Sequence, residues 1–187
     1  MKRSEEIGDT VKNVVLVNDR DEELGVCDKL KAHLGMGVLH RAFSLFIFNS
    51  KEQLLLQKRG ENKMLWPGYW SNSCCSHPFP GESYIDAARR RAIEELGIRC
   101  NPEWLYNFHY EANYLEIGSE NELCSVLIAK TDMEPEINEE EISEYMWMDW
   151  IELVQDVQTY PEKYTPWFLL EVEEIKLRKN LKRKSHE

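Results

Sequence analysis

The stretch from residue 76 to residue 98, SHPFPGESYIDAARRRAIEELGI, constrains the fold of this chain more than any other. It begins as a loop, and residues 83–96 then supply the Ala, Arg, Ile, Glu and Leu of a helix. Gly97 follows at once and is a natural helix end. Taken alone, this could be an ordinary amphipathic helix with i, i+4 salt bridges, such as Arg91 with Glu95.

The rest of the chain alternates apolar, strand-like runs with turns. A short SK between two of these runs predicts a hairpin, and LWPGYWSN, with Pro67 and Gly68, predicts a loop. The pattern from about Thr165 to Lys184 is helical, and the acidic stretch EPEINEEEISE (134–144) is interpreted as a solvated connector. The predicted strands are VKNVVLVND (11–19), RAFSLFIFN (41–49), EQLLLQKR (52–59), WLYNFHYEA (104–112), ELCSVLIAK (122–130) and YMWMDW (145–150).

This order of mixed strands with two or three helices predicts a single α+β domain. Residues 1–10 are polar and are expected to be loose, and residues 11–187 are expected to form the domain. With 187 residues, of which 42% are hydrophobic, the chain has enough apolar material for a core.

The net charge of −11, from 34 acidic and 23 basic residues, argues against nucleic acid as a partner. An anionic small ligand would need local metal ions or clustered Lys and Arg. The five cysteines are an odd number, so a disulfide framework is not expected. The basic start has no apolar stretch behind it, and no apolar run reaches the roughly 20 residues of a membrane helix. We therefore expect a cytoplasmic protein without a membrane partner.

Five side chains are candidate metal ligands: His33, His40, His77, Glu120 and Glu122. The two glutamates flank one residue in SENELC, and residues two apart on a strand point the same way, so both carboxylates could converge on one ion. Three imidazoles with two carboxylates suit Zn²⁺, Mn²⁺ or Mg²⁺. Scattered histidines are more often surface or core residues, and E-N-E is common on acidic surfaces, so spacing alone leaves that interpretation open.

The segment 76–98 resembles the Nudix signature, a loop and a helix whose carboxylates hold metal ions against a diphosphate. Ser76 stands where a glycine is expected, and Arg91 stands where a metal-binding glutamate is expected. The exchange at Arg91 removes a metal ligand and adds a phosphate binder, which favours binding a diphosphate over cleaving it. The residues in register are Glu82, Arg90, Glu94, Glu95, Gly97 and Ile98.

Four motifs in one order carry a closer resemblance: HLGMGVLHRAFS, NSCCSHP, the altered Nudix box and ENE. From about Lys29 to Trp167 they resemble type 1 isopentenyl diphosphate isomerases. The resemblance implies a Nudix-like α/β/α sandwich with a mixed sheet, and interconversion of isopentenyl diphosphate and dimethylallyl diphosphate. It also implies two metal sites: Mg²⁺ joining the diphosphate to Glu95 and the Cys75 carbonyl, and Mn²⁺, Zn²⁺ or Mg²⁺ on the five ligands named above.

The resemblance assigns further roles residue by residue. Cys75, in C-x-H-P, matches the catalytic cysteine. Tyr110 matches the tyrosine that supports the active-site glutamate, Glu122, and Trp167 matches the aromatic residue over the allyl group. Cys74 takes a position that is apolar in some relatives, so we expect it to pack as a small hydrophobe. The implied diphosphate binders are Lys29, Arg59, Lys63 and Arg91.

The implied reaction adds a proton at one alkene carbon and removes another beside the diphosphate arm, so two proton-transfer groups must flank a flat substrate. Cys75 and Glu122 are the expected pair, one on each face, because a thiol and a metal-held carboxyl group can both donate and accept a proton. The π face of Trp167 would stabilise the tertiary carbocation. The segment carrying Lys29 and His33 is expected to close over the site and exclude water.

Two other classes of function fit parts of the sequence. One is a Nudix pyrophosphohydrolase acting on nucleotides, and Arg91 is the feature against it. The other is a zinc-stabilised binding module built on Cys74, Cys75 and the histidines, which lacks any C-x₂-C pair. The preferred interpretation is the isomerase, acting on a small-molecule diphosphate as a monomer or weak homodimer.

Overall fold

The computed structural model describes the backbone of residues 13–184 and the side chains of residues 13–178, so the predicted loose segment 1–10 lies outside the described residues. None of the helices in this part of the chain combines the length and the apolar character needed to span a bilayer. In chain order the elements are β1 (Asn13–Val17), β2 (Glu23–Asp28), α1 (Lys29–Ala32), β3 (His40–Phe48), β4 (Gln53–Arg59), β5 (Trp70–Ser71), β6 (Cys74–Ser76), α2 (Tyr84–Leu96), β7 (Glu103–Tyr114), β8 (Gly118–Lys130), β9 (Ile142–Asp149), α3 (Trp150–Thr159), a 3₁₀ turn (Pro161–Lys163) and α4 (Pro166–Lys184).

The strands form one mixed sheet with β3 at its centre. β3 pairs antiparallel with β1, β4 and β6, and parallel with β8. In the parallel pair, His40 lies opposite Glu122 and Phe48 lies opposite Lys130. β7 and β8 form a long antiparallel hairpin, and β9 pairs with β4. Because side chains alternate along a strand and paired residues share a face, this register decides which residues meet on each side of the sheet.

The helix α2 covers one face of the sheet. The Ser83 hydroxyl caps it by accepting a hydrogen bond from the Asp86 amide (3.1 Å), and Gly97 ends it in the left-handed conformation at φ 66°. The small side chains of Ala87 and Ala92 let the helix pack closely on the buried residues of the central strands. The predicted helix and its end at Gly97 are confirmed.

The helices α3 and α4 cover the opposite face. Leu153 of α3 and Phe168 and Val172 of α4 pack in one core with Phe46 and Val126 of the sheet. The molecule is thus an α/β/α sandwich around a mixed sheet in a single α+β domain. The predicted fold class is confirmed.

Five elements were not predicted from sequence patterns: β2, α1, β5, β6 and α3. The two residues of β5 lie in LWPGYWSN, which was predicted to be a loop. Trp150 was placed in a strand but begins α3, because Asp149 accepts a hydrogen bond from the Ile151 amide (2.8 Å) and caps a helix there. The runs of two to four residues that form α1, β5 and β6 carry too little periodicity to be recognised in the sequence.

The interpretation of residues 134–144 as a solvated connector is wrong for its last part. Ile142 is fully buried and begins β9. The Asn138 amide donates to the Glu95 carbonyl of α2 (2.8 Å), which ties the stretch to the helix. The side chain of Glu141 lies between two cations, Lys63 and Arg91.

Candidate active site

A cavity of about 350 Å³ opens on the face of the sheet that α4 covers. Ser44, Met64 and Leu65 contribute to its wall. The site residues predicted from the sequence that line it are Lys29, His33, Arg59, Lys63, Cys75, His77, Tyr110, Glu120, Glu122 and Trp167. Three further predicted residues lie outside the lining: His40, Arg91 and Glu95.

The five candidate metal ligands come together at this cavity. Each offers one ligand atom, and all of these atoms lie within 4.8 Å of one another. The register of β3 and β8 explains part of the convergence, since it sets His40 opposite Glu122. His33 arrives from the end of α1, where its carbonyl accepts a hydrogen bond from the Ser119 amide of β8 (2.8 Å). The chain contacts β8 so closely here that a Cβ on Gly118 would lie 2.4 Å from the His33 carbonyl oxygen.

The hydrogen bonds of the imidazole rings suit a metal ion. The Nδ1 atom of His33 lies 2.6 Å from the Lys29 carbonyl oxygen, and that of His40 lies 2.7 Å from the Val38 carbonyl oxygen. Each Nδ1–H can donate to its carbonyl, which leaves the Nε2 lone pair for a ligand. His40 Nε2 is buried, makes no hydrogen bond within the described residues, and lies 3.5 Å from Glu122 Oε1. Burial, followed by the charge of Lys29, lowers the pKa of His77 and favours its neutral, ligating form.

Glu122 stands between the metal-ligand cluster and the cavity. Its Oε2 accepts a hydrogen bond of 2.5 Å from the Tyr110 hydroxyl, and its Oε1 lies 2.9 Å from His77 Nε2. Burial acts to raise the pKa of Glu122, but the interaction with His40, 3.5 Å away, and the hydrogen bond from Tyr110 outweigh burial and lower it. Burial, with the charge of Glu122, raises the pKa of Tyr110, so this hydroxyl remains a donor. The carboxylate is therefore held in one orientation and in its basic form.

Cys75 presents its thiol to the same cavity, whereas Cys74 on the same short strand packs into the core under α2. The alternation of β6 thus separates the two cysteines, and neither belongs to the candidate ligand cluster. Burial raises the pKa of Cys75 to about 12, although Arg59 acts to lower it. Arg59 Nη1 lies 3.8 Å from the Cys75 sulfur. Cys75 is therefore a protonated donor at neutral pH, with a cation beside it to stabilise the thiolate.

Arg59 and Trp167 form a fixed wall of the cavity. The Arg59 guanidinium donates to the Leu65 carbonyl (2.7 Å from Nη2) and to the Trp66 carbonyl (3.1 Å from Nε). Its central carbon lies 5.2 Å from the Trp167 ring centroid. The Trp167 indole N–H donates to Asn72 Oδ1 (3.4 Å), and the ring is buried. Both side chains are therefore ordered before any ligand arrives.

The remaining predicted cations form a charged corner next to the cavity. Lys29 and Lys63 line it, and Arg91, outside the lining, shares the Glu141 carboxylate with Lys63. Arg91 Nε donates to Glu95 Oε1 (2.9 Å), so the i, i+4 salt bridge considered for this helix is present. Arg91 Nη2 also donates to Glu141 Oε1 (3.1 Å). Glu95, the predicted Mg²⁺ ligand of the altered Nudix box, is almost fully buried at 2% exposure.

Ser44 and Glu141 are two of the residues at this site that were not identified from the sequence. Ser44 lines the cavity, and its position in the apolar run RAFSLFIF was a usable signal, because a buried polar residue four places after His40 shares its face of the strand. Glu141 carried no such signal, because it stands in an acidic run that resembles any solvated loop.

Comparison with known proteins identifies a matching domain family and similar proteins of known name. The NUDIX domain family matches residues 38–168. A protein named isopentenyl-diphosphate Delta-isomerase 1 from Photorhabdus laumondii is 46% identical over 171 residues, which covers 88% of this chain and 95% of that protein. The isopentenyl-diphosphate Delta-isomerase of Pectobacterium atrosepticum is 44% identical over 157 residues, covering 84% of this chain and 87% of its own.

Solved structures agree at the level of the fold. A protein of Deinococcus radiodurans superposes with a TM-score of 0.71 and 25% identity, over 87% of this chain and 98% of its own. A MutT protein from Methanosarcina mazei superposes with a TM-score of 0.60 and 21% identity, over 76% of this chain and 95% of its own.

Proposed function

The chain belongs to the Nudix family and, within it, to the isopentenyl-diphosphate Delta-isomerases, and from this premise we propose that it interconverts isopentenyl diphosphate and dimethylallyl diphosphate. The observation that carries the proposal is that the Cys75 thiol and the Glu122 carboxyl group open into one cavity, beside three clustered imidazoles. An isomerisation that moves a double bond needs two such groups and no redox cofactor.

Cys75 and Glu122 would exchange protons with opposite faces of the substrate. In one direction the neutral Cys75 thiol gives its proton to the terminal alkene carbon, and the electron pair of the double bond forms the new C–H bond. The tertiary carbocation that results then loses a proton from the carbon beside the diphosphate arm to the Glu122 carboxylate, and that C–H pair becomes the new double bond. In the other direction the roles reverse. Arg59 stabilises the thiolate, and Tyr110 orients the carboxylate.

The apolar wall of the cavity would protect the carbocation. The π face of Trp167 is worth about 2 kcal/mol or more to a desolvated cation. Each 1.36 kcal/mol changes a rate about tenfold, so this contact supplies about 30-fold. Met64 and Leu65 keep that part of the cavity free of water, which would otherwise capture the cation as an alcohol.

A divalent ion fits the cluster of His33, His40, His77, Glu120 and Glu122, and Mn²⁺, Zn²⁺ and Mg²⁺ all suit three nitrogens with two oxygens. When bound, it would lower the proton affinity of Glu122 and fix its position. The chain's own contribution is the ring orientation set by the backbone carbonyls and the Tyr110 hydrogen bond.

The charged corner would hold the diphosphate. Lys29, Arg59 and Lys63 line the cavity. Glu95, which lies outside the lining and pairs with Arg91, would hold the Mg²⁺ that accompanies the substrate. Arg91 places a cation where the Nudix signature has a carboxylate. This exchange favours binding of the diphosphate over its hydrolysis. These local charges offset the repulsion expected from a protein of net charge −11. Closure of the segment carrying Lys29 and His33, a cytoplasmic location, and a monomer or weak homodimer remain predictions.

The test is deuterium exchange into isopentenyl diphosphate in D₂O, followed by NMR, for the wild type, Cys75→Ala and Glu122→Gln. We expect each variant to lose exchange at a different carbon, because each removes one of the two proton-transfer groups. Cys74→Ala is the matched control, since it removes the neighbouring thiol from the other face of β6 and should retain exchange at both carbons. Full exchange by both Cys75→Ala and Glu122→Gln would overturn the proposal.

A further inference from the structure

The main chain at Glu141 is fixed against the strand that carries Arg59. The Gly60 amide donates to the Glu141 carbonyl (2.9 Å), and Ile142 pairs with Arg59 across β4 and β9. A Cβ on Gly60 would lie 3.0 Å from the same carbonyl oxygen, so the two backbones are in close contact. The side chain of Glu141 therefore begins from a rigid point beside the charged corner.

The carboxylate of Glu141 bridges two predicted diphosphate binders. Its Oε2 accepts a close hydrogen bond from Lys63 Nζ, and its Oε1 accepts one from Arg91 Nη2 (3.1 Å). Burial acts to raise the pKa of Glu141, but the charges of Lys63 and Arg91 outweigh it and hold the pKa at about 2. The side chain is 26% exposed, so solvent screens the bridge only in part. Glu141 is consequently an anion under all ordinary conditions.

The two cations depend on Glu141 to different degrees. Arg91 also pairs with Glu94 and Glu95 on its own helix, so it has other anchors. Lys63 forms an ion pair with Glu141 and with no other side chain among residues 13–178. A lysine has a long, flexible side chain that loses up to about 2 kcal/mol of rotamer entropy when it is fixed. One of its three N–H groups goes to Glu141, and two are left for a ligand in the cavity.

We propose that Glu141 is a positioning residue for the diphosphate end of the site, which holds the Lys63 ammonium group at the cavity wall and offsets its repulsion from Arg91. This inference rests on the proposed function, because it requires that Lys63 binds a diphosphate. The Glu141 carboxylate orders the Lys63 side chain before the ligand arrives. Less of the binding free energy is then spent on fixing that side chain when the diphosphate binds. A negative charge near a diphosphate is also repulsive, and the proposal requires that the ordering of Lys63 outweighs this repulsion.

The experiment measures the dissociation constant of inorganic diphosphate in the presence of Mg²⁺, by calorimetry, and the steady-state constants for isopentenyl diphosphate. For Glu141→Gln we expect about tenfold weaker diphosphate binding, equivalent to about 1.4 kcal/mol. KM should rise by a similar factor while kcat changes little, because the proton-transfer groups are untouched. Circular dichroism and a thermal melt establish that the variant is folded.

Glu144→Gln is the matched control. Glu144 stands three residues further along the same sequence, is exposed, and pairs with Lys58 (2.7 Å). Glu144→Gln removes the same negative charge as Glu141→Gln. Any gain in anion binding that comes only from the change in net charge is therefore common to both variants. A double-mutant cycle with Lys63→Gln adds a second readout, since Glu141→Gln should cost much less in that background if it acts through Lys63.

The outcomes separate the inference from its premise. Unchanged or tighter diphosphate binding by Glu141→Gln overturns the positioning role and identifies Glu141 as a competitor for the cations. Additive effects in the cycle with Lys63→Gln also overturn it. A wild-type protein that neither binds diphosphate nor isomerises isopentenyl diphosphate would instead remove the proposed function itself.

Discussion

Glu171 is a fully buried acid, and its replacement by glutamine should stabilise the protein above mildly acidic pH. It lies on α4 one turn after Trp167, with 0% exposure. Its Oε1 is 3.8 Å from the Cys124 sulfur, and its Oε2 has no hydrogen-bond partner within residues 13–178. Burial raises the pKa of Glu171 well above its ordinary value, by more than hydrogen bonds from Ser44 and Cys124 lower it.

The sign follows from which state ionises. Below the ordinary pKa of 4.5 the carboxyl group is neutral in both the folded and the unfolded chain, and it contributes no penalty. Above that pH the unfolded chain ionises Glu171 while the folded protein keeps it neutral, so the unfolded state gains stability. The free energy of unfolding then falls by about 1.4 kcal/mol for each pH unit until the pKa of the folded state is reached. Glu171→Gln removes this dependence.

The assay is urea unfolding followed by tryptophan fluorescence at pH 5, 6, 7 and 8, with a chelator present in all samples. The difference in unfolding free energy between Glu171→Gln and the wild type should grow with pH at about 1.4 kcal/mol per unit. New amide hydrogen bonds shift that difference by a constant and do not alter its slope. Glu173→Gln, on the exposed side of the same helix, is the control and should give no slope. A difference that stays flat for Glu171→Gln would refute the reasoning.

Three further predictions concern the site. Trp167→Leu should lower kcat about 30-fold in a steady-state assay with a smaller change in KM, and an unchanged kcat would contradict a carbocation contact. Arg91→Glu should weaken substrate binding without creating pyrophosphatase activity in a phosphate-release assay, and new hydrolysis with unaltered affinity would count against the role of Arg91. Removal of divalent ions by a chelator should abolish isomerisation while the circular dichroism spectrum persists, because the sandwich has its own core; unfolding would favour the zinc-stabilised module.

The parts of the fold that could be predicted are those with local signals. The helix-forming composition of residues 83–96 marks α2, and Gly97 marks its end because glycine readily adopts the left-handed conformation found there, φ 66°. The strand β6 could not be found, because three residues, CCS, carry no periodicity and their strand geometry comes from pairing with β3. Trp150 belongs to α3 and not to the predicted strand. The large apolar residues on both sides of Asp149 resemble one continuous strand, and the hydrogen bond by which Asp149 caps the helix exists only in the folded chain.

The site likewise contains residues that the sequence indicates and residues that only the folded structure reveals. The ligand residues were identified through a resemblance of motifs, since spacing alone cannot show that His40 and Glu122, far apart in sequence, lie opposite each other on parallel strands. The sequence does not distinguish Glu141 from its neighbours Glu139 and Glu140, which are exposed acids. Its difference from them is the contact with Gly60 and the two cations, which exists only in the folded chain.

The parallel register of β3 and β8 has a consequence for quality control in the cell. A slip by one residue would turn Glu122 toward the apolar cluster of Val15 and Val17, where Leu123 now packs, and bring Leu123 to the side of the imidazoles. One such error would bury the Glu122 carboxylate among apolar side chains and place the Leu123 side chain among the metal ligands. A misregistered chain would therefore lose both stability and activity. A chain that folds with this register therefore has its imidazole and carboxylate ligands on one side of the sheet, and a stable misregistered form should be scarce in any preparation.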